Sequence, residues 1–231
     1  RLDEALDCCR KALSLNPNLI DAHFNLGNAL KEQGKLDEAL ASYQSALSLN
    51  PDFADAHNNA GVVYSEKGRL EEAVLSFQRA LSNKSDSATT HYNLGHALSM
   101  QGNLAEALLC YRKALSLMPE YAEARWAHTM AQIPLVYEAD ADAQHSRSEF
   151  SRELAELTSW FAADSKRMAN GFKAVGTHQP FYLAYQEENN RDLLSRYGDL
   201  CTRLLRAWQE GPRLAAPVVL DRPKKTLGIV S

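Results

Sequence analysis

Amide side chains recur at one fixed spacing in the first half of the chain. Asn25, Asn59 and Asn93 are separated by 34 residues each. A primary amide carries two N–H donors and one acceptor oxygen, so a row of amides can hydrogen-bond the main chain of another polypeptide. Each such bond contributes on the order of 1 kcal/mol net. We therefore regard these asparagines as candidates for peptide binding; the alternative is that they join neighbouring helices or face water.

Three histidines share the same spacing and suggest a metal site. His23, His57 and His91 are also 34 residues apart. Equivalent residues on stacked helical units lie about 10 Å apart, whereas the ligands of one zinc ion each come within about 2 Å of it. We therefore interpret these histidines as packing or rim residues, and expect no metal or cofactor in this chain. The repeats contain no Ser-His-Asp arrangement and no phosphate-binding glycine loop, so no catalytic residue is assigned.

Small and aromatic residues follow the same period and indicate how the chain folds. With Ile20 as the first position of a unit, the recurring residues are Gly27, Gly61 and Gly95; Gly34, Gly68 and Gly102; Ala39, Ala73 and Ala107; Tyr43, Phe77 and Tyr111. Small residues let two helices approach to about 8–10 Å, and the aromatic residue fills the space that remains. The mid-unit glycine ends the first helix. The period therefore predicts a repeated helix pair whose neighbours stack, with the first helices lining a concave side.

This pattern resembles the tetratricopeptide repeat. The fold expected from it is all-α, a right-handed α-solenoid over residues 1–133. The predicted units are a half repeat at 1–19, full repeats at 20–53, 54–87 and 88–121, and a capping helix at 122–133.

Within each first helix, positions 2, 6, 9 and 13 share one face, because their spacing matches the helical turn. That face is mainly polar in all three full units. The candidate peptide-binding residues on it are Asn25, Asn28, Asn59, Asn93 and His96.

The chain beyond the repeats has a different pattern, and we predict a helical junction over 134–221. Residues 135–149 are acidic and weakly patterned, and indicate a linker or a frayed helix start. An amphipathic helix of about four turns is expected after Ser148. Residues 170–186 contain two glycines and a proline and are predicted to be irregular, whereas 189–209 has firm helical spacing.

A second resemblance lies in this junction. The stretches His178–Gln186 and Glu187–Tyr197 look like the segment that joins the repeats to the catalytic core in bacterial SPINDLY-type, O-GlcNAc-transferase-like proteins. Residues 224–231 resemble the basic lead-in and first strand of their first Rossmann-like lobe, so we expect this lobe to start at 222–231. The resemblance implies a protein O-glycosyltransferase that transfers a sugar from a UDP-sugar donor to Ser or Thr of a protein held by the repeats. It also matches Asn25, Asn59 and Asn93 to the asparagine ladder of that family.

We expect the chain to be a piece of such an enzyme and inactive alone. It lacks an initiator Met, opens in the second half of a repeat and stops within the predicted strand. The catalytic lobes, with their nucleotide-sugar pocket, would lie beyond Ser231, because one strand cannot build such a site. The alternative is a non-enzymatic adaptor or scaffold protein, in which the repeats assemble partner proteins and the junction is only a helical cap.

Composition limits the partners. With 25 Lys plus Arg against 29 Asp plus Glu, the formal net charge is -4, which does not favour nucleic acid or an acidic membrane. No apolar run approaches the roughly 18–20 residues of a membrane-spanning helix. The four cysteines show no metal-ligand spacing, so we expect free thiols and a cytoplasmic protein. Apolar surface at both ends of the chain predicts a tendency to self-associate.

Overall fold

The computed structural model describes residues 2–134, 140–180 and 189–210, and these residues are almost entirely helical. The helices are α1 (Leu2–Leu15), α2 (Ile20–Glu32), α3 (Leu36–Leu49), α4 (Ala54–Glu66), α5 (Leu70–Asn83), α6 (Ala88–Met100), α7 (Leu104–Leu117), α8 (Ala122–Met130), α9 (Asp140–Ala162), α10 (Ser165–Asn170) and α11 (Arg191–Glu210). A 3₁₀ helix, Gly171–Lys173, follows α10 directly.

Each full repeat is one antiparallel helix pair held by a glycine–aromatic contact. The pairs are α2 with α3, α4 with α5, and α6 with α7. A Cβ atom on Gly27, Gly61 or Gly95 would lie 2.6–2.8 Å from the ring of Tyr43, Phe77 or Tyr111, respectively. All three rings are at most 1% exposed. The predicted reason for the recurring glycine is therefore confirmed, because any side chain there would collide with the ring.

The pairs stack so that the first helices lie together on one side. Each second helix packs on the first helix of the next pair, and α4 also contacts both α2 and α6. The mid-unit glycines have φ of 76°, 71° and 86°, the left-handed conformation that ends the first helix of each repeat. The predicted all-α solenoid is confirmed, and its inner side is formed by α2, α4 and α6.

The two ends of the solenoid differ. In α1, Ala5 is exposed, although its counterparts Ala39, Ala73 and Ala107 are fully buried. Their burial needs a first helix on that face, and among the described helices α1 packs mainly on α2. Self-association through this uncovered face stays a prediction.

At the other end, α8 belongs to the solenoid and to the junction. Its Trp126 is fully buried in a core with Phe150, Leu154 and Phe161 of α9 and Leu200 of α11. The Arg167 guanidinium forms two hydrogen bonds to the Glu120 carboxylate, at 2.6 and 2.8 Å, and stacks on Trp160. The junction is therefore packed firmly against the last repeat.

The predicted end of α8 was wrong, whereas the start of α9 agrees with one of the two alternatives predicted for 135–149. Helix α8 ends at Met130 rather than at residue 133, because Pro134 disfavours helical geometry in the residue before it. Helix α9 begins at Asp140, inside the stretch 135–149 that was interpreted as a linker or a frayed helix start, so the helix start is the alternative observed from this residue on. Ala, Gln, Arg and Glu in its first turns are good helix formers, which outweighs the weak apolar pattern.

The predicted irregular segment 170–186 is partly ordered. Its beginning completes α10 and forms the 3₁₀ helix, and a backbone bridge joins Val175 to His178. The predicted helix at 189–209 is present as α11. Residues 181–188 and 211–231 lie outside the described part, and with them the predicted strand and the start of a Rossmann-like lobe.

Two further findings concern the described residues. No helix among them is both long and apolar enough to cross a membrane. Cys8, Cys9, Cys110 and Cys201 all carry free thiols.

The glycine–aromatic contact predicts opposite effects for two glycine substitutions. Gly61→Ala places a methyl group 2.6 Å from Phe77, and overpacking of this kind costs about 1–3 kcal/mol. Gly198→Ala, within α11, meets no atom within 4 Å and should stabilise the protein by about 0.5–1 kcal/mol through helix propensity. Thermal unfolding followed by circular dichroism measures both changes. Equal effects of the two variants would contradict the close-approach role of Gly61.

Candidate functional site: a polar groove on the inner side of the solenoid

A continuous row of hydrogen-bonded amides crosses the three first helices. Asn93 Nδ2 donates to Asn58 Oδ1 at 3.1 Å, and Asn58 Nδ2 donates to Asn59 Oδ1 at 3.1 Å. Asn59 Nδ2 then donates to Asn28 Oδ1 at 2.7 Å. We call Asn28, Asn58, Asn59 and Asn93 the amide row. Its bonds link α6 to α4 and α4 to α2, so part of the capacity of these side chains is used between helices.

The amide row leaves specific atoms unpaired. Neither Asn93 Oδ1 nor Asn28 Nδ2 has a hydrogen-bond partner among the described residues, and all four amides are half-buried rather than sealed. Asn25 is exposed and forms no side-chain hydrogen bond within the described residues. The row therefore presents an acceptor at one end and a donor at the other, with Asn25 beside it.

The floor of the groove differs from repeat to repeat at the aromatic position. The Tyr43 hydroxyl donates to Asn28 Oδ1 at 2.8 Å, so in the first full repeat this hydroxyl is paired within its own helix pair. Phe77 has no hydroxyl, and an open cleft of about 400 Å³ lies against its ring. The lining of this cleft consists of Val62, Ser65, Glu66, Phe77, Asn93, His96 and Met100. The second repeat thus offers an open, largely apolar depression beside the amide row.

The candidate His96 stands at the boundary of this cleft. It lines the cleft from α6, and its ring meets the ring of His178 edge-on, with the centroids 4.9 Å apart. Burial lowers the pKa of His96, so its neutral form is favoured. Two of the five predicted site residues, Asn93 and His96, therefore line the same opening, whereas Asn28 and Asn59 lie further along the amide row.

Acidic side chains flank the groove. Asp21, Glu32, Asp55 and Glu66 occupy positions 2 and 13 of the first and second full repeats, and all four are exposed. Burial raises the pKa of Tyr43 to about 12, and the charges of Glu66 and Glu32 act in the same direction. Lys31 is the basic residue beside this face in α2. Its single charge leaves the rim of the first two repeats acidic.

The recurring histidines have a structural role. The Nε2–H group of His23 donates to the Pro17 carbonyl at 2.8 Å, and His57 makes the same bond to Pro51. His91 bonds the Ser85 carbonyl at 3.0 Å. Each histidine therefore ties the start of a first helix to the preceding turn. No three His, Cys, Asp or Glu side chains come together as metal ligands within the described ranges.

Sequence reasoning missed two participants. Asn58 completes the amide row, but its position carries Phe24 and Tyr92 in the other repeats, so periodicity gives no signal for it. His178 lies outside the repeats altogether.

Sequence comparison agrees with the observed helix pairs. A family model described as "TPR repeat" matches residues 1–34, 27–68 and 61–102. A second model, "Tetratricopeptide repeat", matches residues 88–121. The matches together cover residues 1–121, more than half of the chain. The chain belongs to the tetratricopeptide-repeat family. No curated protein is detectably similar to it in sequence.

YrrB and MamA share the fold of this tetratricopeptide-repeat chain, and a third solved structure is also similar to part of it. YrrB, described as a TPR protein with an unusual peptide-binding site, is 24% identical with a TM-score of 0.62, over 89% of this chain and 100% of that one. MamA is 23% identical with a TM-score of 0.60, over 71% and 92%. A mutant of the Thermobaculum terrenum O-GlcNAc transferase is 24% identical with a TM-score of 0.49, over 58% and 26%.

The amide row predicts different stabilities for two asparagine variants of the same helix. Asn28→Ala removes the acceptor of both the buried Tyr43 hydroxyl and the Asn59 amide, which should cost about 1–3 kcal/mol. Asn25→Ala breaks no hydrogen bond within the described residues and should gain up to about 0.5 kcal/mol in helix propensity. Urea unfolding distinguishes them. A stabilising Asn28→Ala would show that the row does not hold α2 and α4 together.

Proposed function

We propose that this chain is a peptide-binding module that holds an extended polypeptide segment along α2, α4 and α6. The observation that supports this proposal is the amide row, with unpaired Asn93 Oδ1 and Asn28 Nδ2 atoms, beside an open apolar cleft. Main-chain N–H and C=O groups of an extended peptide are the natural partners of such atoms. YrrB, which shares the fold, is described as having a peptide-binding site.

The arrangement of the amides favours the main chain over side chains as the bound group. The hydrogen bonds within the row fix the rotamers of Asn28, Asn59 and Asn93 before any ligand arrives. A preorganised site loses less side-chain entropy on binding, so a larger part of the free energy of each weak hydrogen bond contributes to affinity. Since amides carry no charge, they accept many sequences with similar affinity.

The rim and the cleft define the preferred peptide chemistry. The carboxylates of Asp21, Glu32, Asp55 and Glu66 attract Lys or Arg side chains and repel acidic ones. The cleft against Phe77, Val62 and Met100 fits one apolar side chain. We therefore propose a basic, extended segment with one apolar anchor as the preferred ligand.

Binding of a matched peptide tests this function. The probe is a labelled peptide of about 6 residues, about 20 Å long when extended, in which lysine and serine surround one leucine. Fluorescence anisotropy should show binding that weakens about fivefold in Asn25→Ala and in Asn93→Ala, because each loses one hydrogen bond. A peptide with glutamate in place of lysine should bind less tightly.

Asn83→Ala is the matched control. Asn83 is an exposed asparagine at the end of α5, a second helix, and its removal should leave the affinity unchanged. Equal losses in Asn83→Ala and Asn93→Ala, or tighter binding of the glutamate peptide, would contradict the proposed groove.

We further propose that the bound segment is the acceptor of a protein O-glycosyltransferase of the O-GlcNAc-transferase type with a UDP-sugar donor. The support is the sequence resemblance of residues 178–197 to the segment between repeats and catalytic core in that family. The alternative is an adaptor whose repeats only bring partner proteins together; the same groove serves either role.

Nucleotide-sugar binding separates the two functions. This chain should not bind UDP-N-acetylglucosamine in isothermal titration calorimetry, because its described residues form no nucleotide site of parallel strands. The glycosyltransferase proposal places catalytic lobes after this chain in a longer protein, and that protein should transfer N-acetylglucosamine to a Ser-containing peptide, detected by mass spectrometry. Tight UDP-sugar binding by this chain, or no transfer by the longer protein, would contradict the glycosyltransferase proposal.

A further inference from the structure

The junction returns one segment to the inner side of the third repeat. After the 3₁₀ helix, Gly176 adopts φ of 88° and turns the chain back toward α6 and α7. We call residues 176–180 the return segment. Its central side chain, His178, touches residues that lie more than 60 positions earlier in the sequence.

His178 is docked by contacts on three helices. A hydrogen bond of 3.3 Å joins its Nε2 to the Tyr111 hydroxyl on α7. Its ring packs edge-on against His96 on α6. Trp126 on α8 donates its Nε1–H to the His178 main-chain carbonyl at 3.0 Å.

These contacts resemble those of a bound ligand more than those of a repeat. In the first repeat, the tyrosine hydroxyl on the groove floor is satisfied by Asn28 of its own helix pair. In the third repeat, position 9 carries His96, and the equivalent Tyr111 hydroxyl instead meets His178 from the junction. The return segment therefore occupies the stretch of groove between α6 and α8, next to the open cleft.

We propose that the return segment occupies the groove between α6 and α8. While the segment is docked, a peptide can bind only along α2, α4 and α6. This proposal rests on the proposed peptide-binding function and adds its regulation. A peptide long enough to reach α8 must displace His178, whereas a shorter one meets only the open part.

Acidification should release the return segment. Burial, and then the neighbouring His96, lowers the pKa of docked His178 to about 4, against about 6.5 for a free imidazole. The docked state therefore favours neutral His178: docking is complete above pH 6.5 and weakens as the pH falls toward 4. Between pH 7.5 and 5.0 the docking equilibrium should weaken about 30-fold from this histidine alone.

The groups around His178 are consistent with a lowered pKa of this histidine in the docked state. His96 from α6 and Tyr111 from α7 are the titratable groups that face it, and α8 presents the neutral Trp126. Glu66 from α4 lines the cleft with His96. No carboxylate among the described residues is hydrogen-bonded to His96 or His178, so neither imidazolium would be stabilised by an ion pair in the docked state.

Histidine NMR on the intact chain tests docking without any ligand. The His178 ring should titrate well below pH 6.5, and its titration should coincide with a change in the Trp126 indole N–H resonance as the hydrogen bond to residue 178 breaks. An ordinary titration near pH 6.5, or an unchanged Trp126 signal, would overturn the proposal. This result does not depend on peptide binding.

Peptides of two lengths test the occupancy of the groove. The probes are the lysine–serine peptide of about 6 residues and an extended form of about 12 residues, which spans about 40 Å. His178→Ala should tighten the longer peptide at pH 7.5 about tenfold and leave the shorter one unchanged. His145→Ala, at an exposed position of α9, is the matched control and should alter neither.

The outcomes separate the two proposals. Weaker binding of the longer peptide to His178→Ala would mean that His178 belongs to the binding site and would overturn the occupant role. No change for either peptide would overturn it as well. If neither peptide bound any variant, the proposed function would fail, and the NMR titration would still decide whether the return segment is released by acid.

Discussion

The contact between a glycine of the first helix and an aromatic ring of the second is the constraint on which the site depends. Because a Cβ atom would lie within 2.6–2.8 Å of each ring, the helices pack closely and the ring is fixed. The far edge of the fixed ring then reaches the groove floor. There the Tyr43 hydroxyl meets Asn28, Phe77 leaves an open cleft, and Tyr111 meets His178. The same packing contact therefore places a different group at the groove floor in each of the three repeats.

The same constraint explains why the amide row forms. Close packing within and between pairs brings α2, α4 and α6 into contact, so short asparagine side chains can bridge neighbouring helices. Polar groups that are partly removed from water must find partners, and the row supplies them for most of its atoms. The few atoms left over, at Asn93 and Asn28, lie on the face that the acidic rim surrounds. Stability of the solenoid and capacity for binding therefore share the same side chains.

Features that repeat could be predicted from sequence, and features that occur once could not. The period alone gives the helix pairs, the role of Gly61 and the groove face that holds Asn93. It gives no signal for Asn58, because that amide stands at a position occupied by aromatic residues in the other repeats. The docking of His178 joins a junction residue to His96 across a long separation, and no local pattern encodes such a contact. The stretch 135–149 left a linker and a frayed helix start open, because its apolar pattern is weak although its helix propensity is sufficient for α9 to begin at Asp140.

Mapping of side-chain resonances tests the central claim most directly. The Asn Nδ2 groups and the His96 ring give separate NMR signals, and the lysine–serine peptide can be titrated against all of them. If the peptide binds on the inner side of the solenoid, the signals of Asn25, Asn28, Asn93 and His96 should shift. Shifts confined to second-helix residues such as Leu75 and Leu109, with the asparagine signals unmoved, would contradict it.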